Sequence, residues 1–589
     1  MMKKKLFYLM LAGCMVVVIG CTAEDPLDEF SNNGNESGNN VSNLSVSNSA
    51  TTGELATFDI SLDTEHAEGT ENAEGYFPDE EDVLENNEFT MEVNIDMSNP
   101  VAKTENGVEV TVNGGHVTVN HGALKKVCYV VSGTTADGSL TVVGDKKYAV
   151  KLNGASINNP DSAALNLLSG KRAYIILAEG TTNTLSDGTG GSQKGALYCK
   201  GKLLFNGSGR LSVIGHTNNG IHSADYILFN KGNNIYVKST ANHGIKANDG
   251  VFINGGILNV EVSAAAAKGI NSESHIIVNG GRTTVLTTGE GTYDSDEREV
   301  KGAAGIKADS TFTMNGGELW LKSTGSGGKG INVDMEACFC GGSVYVITTG
   351  GQYKSNNDTS SPKGIKADGN ITINGGRIWV RTSGNSGEGI ETKGQLSMTG
   401  GEVASYAYDD AINSKDDMVV SGGFVYAQGQ HNDGLDANGN CYIKGGTVYA
   451  ICSGSPEVAI DANSEQQKKL YVTSGTLVAV GGLEGGSSLT QPCYLASSWT
   501  PSTWYALTVG DSTLAFQTPA GGGSGLVVSG ASQPALQSGV SVVGGTSWFG
   551  SLAITGGTVS GGSSVNLSSY TGGSGMGNVP GGGGPGGWH

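Results

Sequence analysis

A short phrase, glycine or alanine followed by isoleucine or leucine, recurs through the middle of the chain. It begins at ten positions: Gly220, Gly244, Gly269, Gly305, Gly330, Gly364, Gly389, Ala411, Gly434 and Ala459. Successive positions are 22 to 25 residues apart, except for two steps of 36 and 34 residues that carry insertions. A short unit that repeats this often is typical of a solenoid, in which each unit buries its apolar face against its neighbours.

Each repeat contains two short segments of alternating apolar and polar residues, separated by a glycine pair. Segments such as "VFIN" and "NITIN" precede the pair, and "ILNVEV" and "RIWVRT" follow it. Alternation with a period of two indicates β-strands, and glycine permits the positive φ of a tight corner. The 589 residues include 95 glycines but only 12 prolines and no G-x-y period, which excludes collagen and proline-rich linkers.

The sequence therefore predicts an all-β protein, a right-handed single-stranded parallel β-helix with coils of 22 to 25 residues. Its core should contain a post-turn stack (Leu258, Leu319, Val344, Ile378, Val403, Val425, Val448) and a pre-turn stack (Ile253, Val278, Met314, Phe339, Ile373, Met398, Val420, Ile443). We expect an N-terminal cap and the first coils over residues 101–215, regular coils over 216–481 and a small antiparallel C-terminal β unit over 482–571.

The two ends of the chain have a different composition. Residues 1–21 combine a basic start, an apolar stretch and Cys21, which predicts a lipoprotein signal peptide with Cys21 lipidated. Cys14 fits the same motif but leaves a very short apolar stretch, and an ordinary cleaved signal or an uncleaved anchor is the alternative. Residues 22–100 should form a disordered acidic tether, and residues 572–589 a disordered glycine-rich tail. We expect a protein lipid-anchored to the bacterial envelope and exposed at the outer-membrane surface.

The net charge of −21 belongs mostly to this tether. Between Thr22 and Ala102 there are 20 acidic residues and no Lys or Arg, whereas the remaining mature chain has 36 acidic and 32 basic residues. A nearly neutral body can still bind an anionic polymer locally. Seven cysteines follow Cys21 in spacings that match no zinc motif, so we interpret them as buried single thiols.

Stacking of the coils should gather acidic residues into columns. The residue after the Ile or Leu of the repeated phrase, and the residue before its Gly or Ala, are rich in Lys and Asn early and acidic from Glu388 onward. Oxygen ligands of this kind suit calcium, which gives the candidate ligands Glu388, Glu391, Asp409, Asp410, Asn413, Asp433 and Asp436. The alternative is a solvated acidic corner relieved by Lys366, Lys393 and Lys415. Weaker candidates lie in the first insertion, at Asp294, Asp296, Glu297 and Glu299.

A third column lies on the outward side of the strand after each glycine pair. It contains aromatic and basic residues, namely Trp320, Tyr345, Trp379, Tyr426, Tyr449, Lys322 and Arg381. Aromatic faces stack on sugar rings and bases pair with uronate carboxylates, so this column is a candidate carbohydrate platform. The alternative is a structural ladder covered by loops or by the C-terminal unit.

The period, the phrases "GIKADG" and "ITINGG", the segment "DDAINSKDD" and the segment "GTTNTLSDG" closely resemble the bacterial carbohydrate-binding parallel β-helix proteins, over residues 108–481. The resemblance implies an extracellular, calcium-containing protein, related in fold to pectate lyases, that binds acidic plant polysaccharide such as polygalacturonate. It implies that Asp409, Asp410 and Asn413 bind the ion, with Asp433 and Asp436 as companions.

The leading hypothesis is thus a monomeric, surface-tethered protein that binds an acidic polysaccharide with calcium and does not bind nucleic acid. The same arrangement of aspartates also resembles the calcium site of a polysaccharide lyase family. In that alternative, Lys366, Lys393 or Lys415 would remove the proton α to the uronate carboxyl group. A structural or adhesive solenoid with a protein partner is the third hypothesis.

Overall fold

The computed structural model describes residues 39–40, 45–46, 55, 57–62, 75–453 and 457–572. This part of the chain consists of β-strands and three short 3-10 helices, Glu80–Asp82, Leu84–Asn86 and Ser464–Gln466, and contains no α-helix. No helix within it is long and apolar enough to cross a membrane. The predicted signal peptide with Cys21, and the tail from residue 573, lie outside the described residues.

The strands form a parallel β-helix of about 14 coils between residues 116 and 480, which confirms the predicted fold class. Each coil contributes strands to three faces. The marker face contains the repeated phrase and consists of His116–Asn120, Ser139–Val143, Leu165–Leu167, Gly195–Cys199, Asn219–Ser223, Ile245–Ala247, Lys268–Ser272, Ala304–Ala308, Lys329–Val333, Lys363–Ala367, Glu388–Thr392, Ile412–Ser414 and Leu435–Ala437. Two antiparallel strands, Lys103–Glu105 and Val108–Asn113, begin this face as part of the N-terminal cap.

The other two faces lie before and after the glycine corner. The pre-turn face contains Met91–Asp96, Ala173–Leu177, Leu203–Gly207, Tyr226–Phe229, Gly250–Ile253, His275–Val278, Phe312–Met314, Ala337–Phe339, Ile371–Ile373, Leu396–Met398 and Met418–Val420. The post-turn face contains Thr182–Asp187, Arg210–Gly215, Asn234–Ser239, Ile257–Val262, Arg282–Thr287, Glu318–Ser323, Ser343–Thr348, Arg377–Thr382, Glu402–Ala407 and Phe424–Gly429. Four long strands run through both faces: Val127–Thr135, Tyr148–Asn159, Cys441–Cys452 and Leu470–Val480.

The interior of the β-helix is one continuous apolar core. Every residue of the two predicted stacks is buried, because the parallel register repeats from coil to coil and places equivalent side chains directly above one another. Cys128, Cys199, Cys441 and Cys493 are buried and carry free thiols. Burial of each large aliphatic side chain contributes about 1.5–3 kcal/mol relative to exposure.

The corners between the pre-turn and post-turn faces combine glycine with asparagine. The second glycine of each pair has a positive φ, +78° at Gly376. Just before the pair, asparagine side chains form a ladder along the helix: Asn279 donates to Asn254 (2.9 Å) and Asn315 donates to Asn279 (2.9 Å). The ladder gives these buried side-chain amides hydrogen-bond partners in the neighbouring coils. It was not predicted from the sequence.

Both predicted insertions are antiparallel hairpins on the marker side, Thr292–Asp294 with Glu299–Lys301 and Tyr353–Ser355 with Asp358–Ser360. The C-terminal unit is antiparallel except for Ser488–Leu489, which pairs in parallel with Leu470–Val480. Its strands are Ser488–Leu489, Cys493–Ala496, Trp504–Val509, Ser512–Gln517, Leu526–Ser529, Ala535–Val543, Thr546–Trp548, Ala553–Thr555, Thr558–Ser564 and Ser568–Tyr570, and two short N-terminal strands, Asn39–Asn40 and Ser45–Val46, pair with it.

The prediction of a disordered tether through residue 100 is wrong for residues 75–100. Met91–Asp96 pairs in parallel with Val127–Thr135 and extends the pre-turn face. Tyr76 stacks on Phe252 (ring centroids 5.4 Å apart) and Phe89 packs on Tyr174 (4.9 Å). The few aromatic residues of this acidic stretch anchor it, because the outer surface of the pre-turn face is itself apolar here.

Candidate functional site

Carboxylates from successive coils meet on the marker face near its C-terminal end. Asp410 precedes Ile412–Ser414, and Asp433 precedes Leu435–Ala437. The register places Asn413 beside Asp436, and an isolated bridge from Leu435 to Ile460 brings the next coil, with Asp461, alongside. Carboxylate oxygens of Asp433, Asp436 and Asp461 all lie within 4.8 Å of one another. We call Asp410, Asp433, Asp436 and Asp461 the acid cluster.

Hydrogen bonds hold the acid cluster in place. The Asn413 amide donates to Oδ2 of Asp410 (3.2 Å) and to Oδ2 of Asp436 (3.0 Å). Backbone N–H groups of the following coil also donate to the cluster. The Asp433 N–H donates to Asp410 Oδ1 (3.0 Å), and the Val458 N–H donates to Asp433 Oδ1 (2.8 Å). Side-chain orientation is therefore fixed by the coil stacking itself. Asp410 and Asp433 are only 4% and 5% exposed.

Negative charge in the acid cluster has no basic partner among the described residues, whose ion pairs all lie elsewhere. Burial raises the pKa of Asp433 to about 10, and Asp410 and Asp461 add to the effect. The pKa of Asp461 is raised to about 9 by burial and by Glu484, and that of Asp436 to about 6 by burial and by Glu457. Burial also raises the pKa of Asp410. The ionised cluster is thus costly unless a cation neutralises it.

Glu388 and Glu391, two of the predicted calcium ligands, have a different partner. The Lys363 ammonium lies 2.6 Å from Glu388 Oε1 and 3.0 Å from Glu391 Oε2, and all three side chains are at most 19% exposed. Lys363 stands one coil earlier in the register, so it neutralises both carboxylates. This ion-paired group lies one coil before the acid cluster, with Glu391 beside Asn413 in the register. Asp461, absent from the predicted ligands, joins the cluster on its other side.

Two of the three predicted lysine bases have a carboxylate partner outside the acid cluster, and the third, Lys415, lies two residues after Asn413. Lys366 and Lys393 both pair with Asp368, at 2.6 and 3.2 Å, and Lys415 is exposed. A lysine with a strongly lowered pKa lies elsewhere on the marker face: burial and neighbouring lysines lower the pKa of Lys329 to about 7. It belongs to the lysine-rich column just before the repeated phrase, which is visible in the sequence, whereas its lowered pKa depends on burial.

The acidic residues of the first insertion lie on a hairpin and surround a single lysine. Lys301 lies 2.9 Å from both Asp294 and Glu297, and 4.0 Å from Glu299. Asp294 also accepts the backbone N–H of Asp296 (2.9 Å) and so caps the turn. Lys301 thus offsets part of the negative charge of this hairpin.

Three of the predicted aromatic residues form a continuous shelf on the post-turn face. Trp320 stacks on Tyr345 with ring centroids 4.0 Å apart, and Trp379 meets Tyr345 edge-on at 6.1 Å. Their spacing follows from the parallel register, which pairs Trp320 with Tyr345 and Tyr345 with Trp379. We call these three residues the aromatic shelf.

The chain's own N-terminal segment, residues 57–62, lies against the aromatic shelf. Phe58 packs 5.7 Å from Tyr345 and 6.3 Å from Trp379 between ring centroids. Asp59 pairs with Lys322 at 2.6 Å, and Arg381 donates to the Leu55 carbonyl at 3.4 Å. Both predicted basic partners of a glycan are therefore engaged by the protein itself.

The expectation that Tyr426 and Tyr449 are exposed is wrong. They are 0% and 1% exposed because the C-terminal unit packs over this end of the post-turn face. Phe516 lies 5.5 Å from Tyr449, Phe549 lies 5.7 Å from Tyr426, and the Tyr449 hydroxyl donates to the Gln517 carbonyl (2.8 Å). These two tyrosines are part of the interface with the C-terminal unit.

Replacing Phe58 with Ala should release residues 57–62 from the aromatic shelf, because the ring supplies an aromatic contact to both Tyr345 and Trp379. We expect backbone hydrogen exchange in a peptide covering this segment to accelerate about tenfold, the equivalent of roughly 1.4 kcal/mol. Thr57→Ala, at an exposed neighbouring position, is the matched control. Equal exchange rates in the two variants would show that Phe58 does not hold the segment.

An aromatic pair beside the acid cluster was not predicted. Tyr408 and His431 pack with ring centroids 4.3 Å apart, one coil apart, and Tyr408 immediately precedes Asp409. His431 is exposed and Tyr408 half-buried. The pair offers a ring surface next to the carboxylates, suited to stacking on a sugar.

Parts of the chain are similar to known proteins. A family model described as "Carbohydrate-binding domain-containing protein" matches residues 113–268 and 324–407. A relative from Acetivibrio thermocellus with the same description is 29% identical over 107 residues, which cover 16% of this chain and 37% of the relative. A solved polysaccharide lyase-like protein from C. thermocellum, in a gadolinium derivative, is 21% identical over 43% of this chain and 92% of its own, with a TM-score of 0.31. The chain is thus similar over part of its length to carbohydrate-binding domain proteins.

Proposed function

We propose that this protein binds an acidic polysaccharide of the polygalacturonate type through calcium held at the acid cluster. The observation that carries the proposal is the gathering of Asp433, Asp436 and Asp461 within 4.8 Å, without a basic partner among the described residues. Together with Asp410 and Asn413, these residues present a set of oxygen atoms, the ligand type that calcium prefers. Asp409 flanks the set. Calcium held there would supply positive charge for uronate carboxylates.

Two further observations support a glycan as the ligand. The ring pair of Tyr408 and His431 lies next to the cluster and fits a sugar face. The partial matches to carbohydrate-binding domain proteins point to the same ligand class. The predicted leader with Cys21 would tether the protein to the envelope, so that its glycan is held at the cell surface.

The geometry favours binding over cleavage. Lys366 and Lys393 are paired with Asp368. Lys329, whose pKa is lowered to about 7, stands three coils before Asp410, the nearest member of the acid cluster, a distance of roughly 14 Å at ~4.8 Å per coil. A base this far from the cluster cannot act on a sugar whose carboxylate is bound there.

The test is retention on immobilised polygalacturonate with calcium and with a chelator, at about 0.5 M salt to screen ordinary charge contacts. We expect calcium-dependent retention, lowered at least tenfold in Asp433→Asn, because one buried carboxylate ligand is lost. Asp416→Asn, at an exposed position in the same coil as Asp410, is the matched control.

Two outcomes would contradict the proposal. Equal retention of the wild-type protein in calcium and in chelator would remove calcium from the binding mechanism. A calcium-dependent rise in the ultraviolet absorbance of unsaturated uronates would show cleavage and establish the lyase instead.

A further inference from the structure

Basic residues line the corner between the marker face and the pre-turn face in the first coils. In four successive coils, the residue just before the pre-turn strand is Lys126, Lys147, Arg172 or Lys202. The register pairs Tyr148 with Ala173, and Ala173 with Leu203. It also pairs Cys128 with Ala149, so that the residues before them, Val127 and Tyr148, are neighbours as well. The four bases are therefore vertical neighbours at the coil spacing of ~4.8 Å.

A second basic column runs beside the first. The residue before each of the first three bases is again a lysine: Lys125, Lys146 and Lys171. Lys125 and Lys171 are exposed and Lys146 is half-buried. We call these seven residues the basic corner. Its dipeptides, KK, KK and KR, are visible in the sequence, but only the coil register aligns them.

The inner column faces an acidic segment, residues 79–88, which forms the opposite wall of a groove of about 830 Å³. Arg172 contacts Asp79 (2.6 Å), Glu81 (2.7 Å) and Asp82 (2.8 Å). Lys147 pairs with Glu81 at 3.0 Å, and Lys126 pairs with Glu88. The inner column thus already binds a chain that carries closely spaced carboxylates.

The outer column has no such partner. Within the described residues, Lys125, Lys146 and Lys171 form no ion pair, although all three line the same groove. Three like charges held one coil apart repel one another, and a ligand with regularly spaced negative charges would relieve that repulsion. The groove runs along the coil axis, so its ligand should be linear and extended.

We propose that the basic corner is a second, calcium-independent site for a linear acidic polysaccharide, whose uronate carboxylates pair with Lys125, Lys146 and Lys171. A carboxylate polymer is favoured because the inner column of the same groove binds carboxylates of the protein's own acidic segment. The choice of polymer rests on the proposed function, but the site is built from different residues on a different corner and uses no metal.

The test is affinity electrophoresis of the full chain in polygalacturonate, at low salt and with a chelator, so that the acid cluster does not contribute. The triple variant Lys125→Gln, Lys146→Gln and Lys171→Gln should lose about tenfold in affinity, since each surface ion pair contributes a modest amount. Glu85→Gln, which removes a negative charge from the groove wall, should bind more tightly than the wild-type protein.

The matched control carries the same charge change at three exposed lysines elsewhere, Lys354→Gln, Lys444→Gln and Lys469→Gln. It should retain wild-type affinity in chelator, and both triple variants should keep the calcium-dependent retention at high salt. If both triple variants lost the same affinity for polygalacturonate, the effect would come from net charge alone, and the proposed site would be overturned. Tighter binding of duplex DNA than of polygalacturonate by the basic corner would overturn its assignment to a glycan.

Discussion

Replacing Gly364 with Ala should destabilise the β-helix by about 3 kcal/mol, the upper range for overpacking of a tight core. A Cβ atom at this position would lie 2.1 Å from Val380 Cγ1 and 2.6 Å from the Gly389 carbonyl oxygen. The valine belongs to the facing post-turn strand, and the carbonyl to the next coil, which cannot move without disturbing the stack. The measurement is the urea midpoint of unfolding, followed by circular dichroism.

Elsewhere in the sequence, a larger residue in the repeated phrase is accompanied by a smaller residue on the facing post-turn strand. Where the repeated phrase begins with alanine, at Ala411 and Ala459, the register-equivalent residues of the post-turn strands are Ala427 and Ala479 in place of Val380. Val380→Ala should therefore recover part of the stability that Gly364→Ala removes, with a favourable coupling in the double-mutant cycle.

Gly521→Ala serves as the control, since a Cβ atom there meets no atom within 4 Å. It should leave the urea midpoint nearly unchanged. Strict additivity of Gly364→Ala and Val380→Ala would mean that the two side chains do not compete for the same space.

The stabilisation that calcium confers should increase steeply with pH between about 5 and 9. Aspartate titrates near 3.9 in an unfolded chain, whereas the folded-state pKa is about 6 for Asp436, about 9 for Asp461 and about 10 for Asp433. The folded, calcium-free protein therefore binds more protons than the unfolded chain across this range, and its stability from these groups is lost as pH rises. Calcium must displace those protons, so it binds more tightly at high pH.

The measurement is the difference in Tm between calcium and chelator at each pH. At a calcium concentration a hundredfold above its dissociation constant, binding stabilises the fold by about 2.7 kcal/mol. Other shifted groups, such as Lys329, titrate equally in both conditions and cancel in this difference. In Asp433→Asn the difference should shrink at every pH. A calcium-induced Tm shift that is the same at pH 5 and pH 9 would contradict the role of these carboxylates.

Much of the site follows from periodicity. The alternation around each glycine pair gave the inward residues, such as Ile378 and Ile373, and the same period aligned Asp410, Asn413, Asp433 and Asp436 on one face. These inferences held because a parallel coil converts equal spacing in the chain into vertical contact. Asp461 continues the same column one coil further on, where Val458 replaces the acidic residue before the repeated phrase.

Other features have no periodic signal. The burial of Tyr426 and Tyr449 depends on Phe549 and Phe516, which follow them in the chain by 123 and 67 residues. The cover on Trp379 comes from Phe58, more than 300 residues away in the chain. Residues 75–100 do contain aromatic residues and an alternating strand, but the apolar surface on which they pack is formed by coils far along the chain.

The sequence by itself determined the coil, its two strands around the glycine pair, the position of both insertions and the column in which carboxylates accumulate, because each follows from a short repeat and the two-residue alternation of a strand. Only the tertiary structure decided which of those side chains stay accessible and which are already neutralised. Lys363 forms ion pairs with Glu388 and Glu391. The C-terminal unit and residues 57–62 cover parts of the aromatic column. Such contacts join segments that are far apart in the chain, and their free energy depends on packing and desolvation that no local pattern encodes.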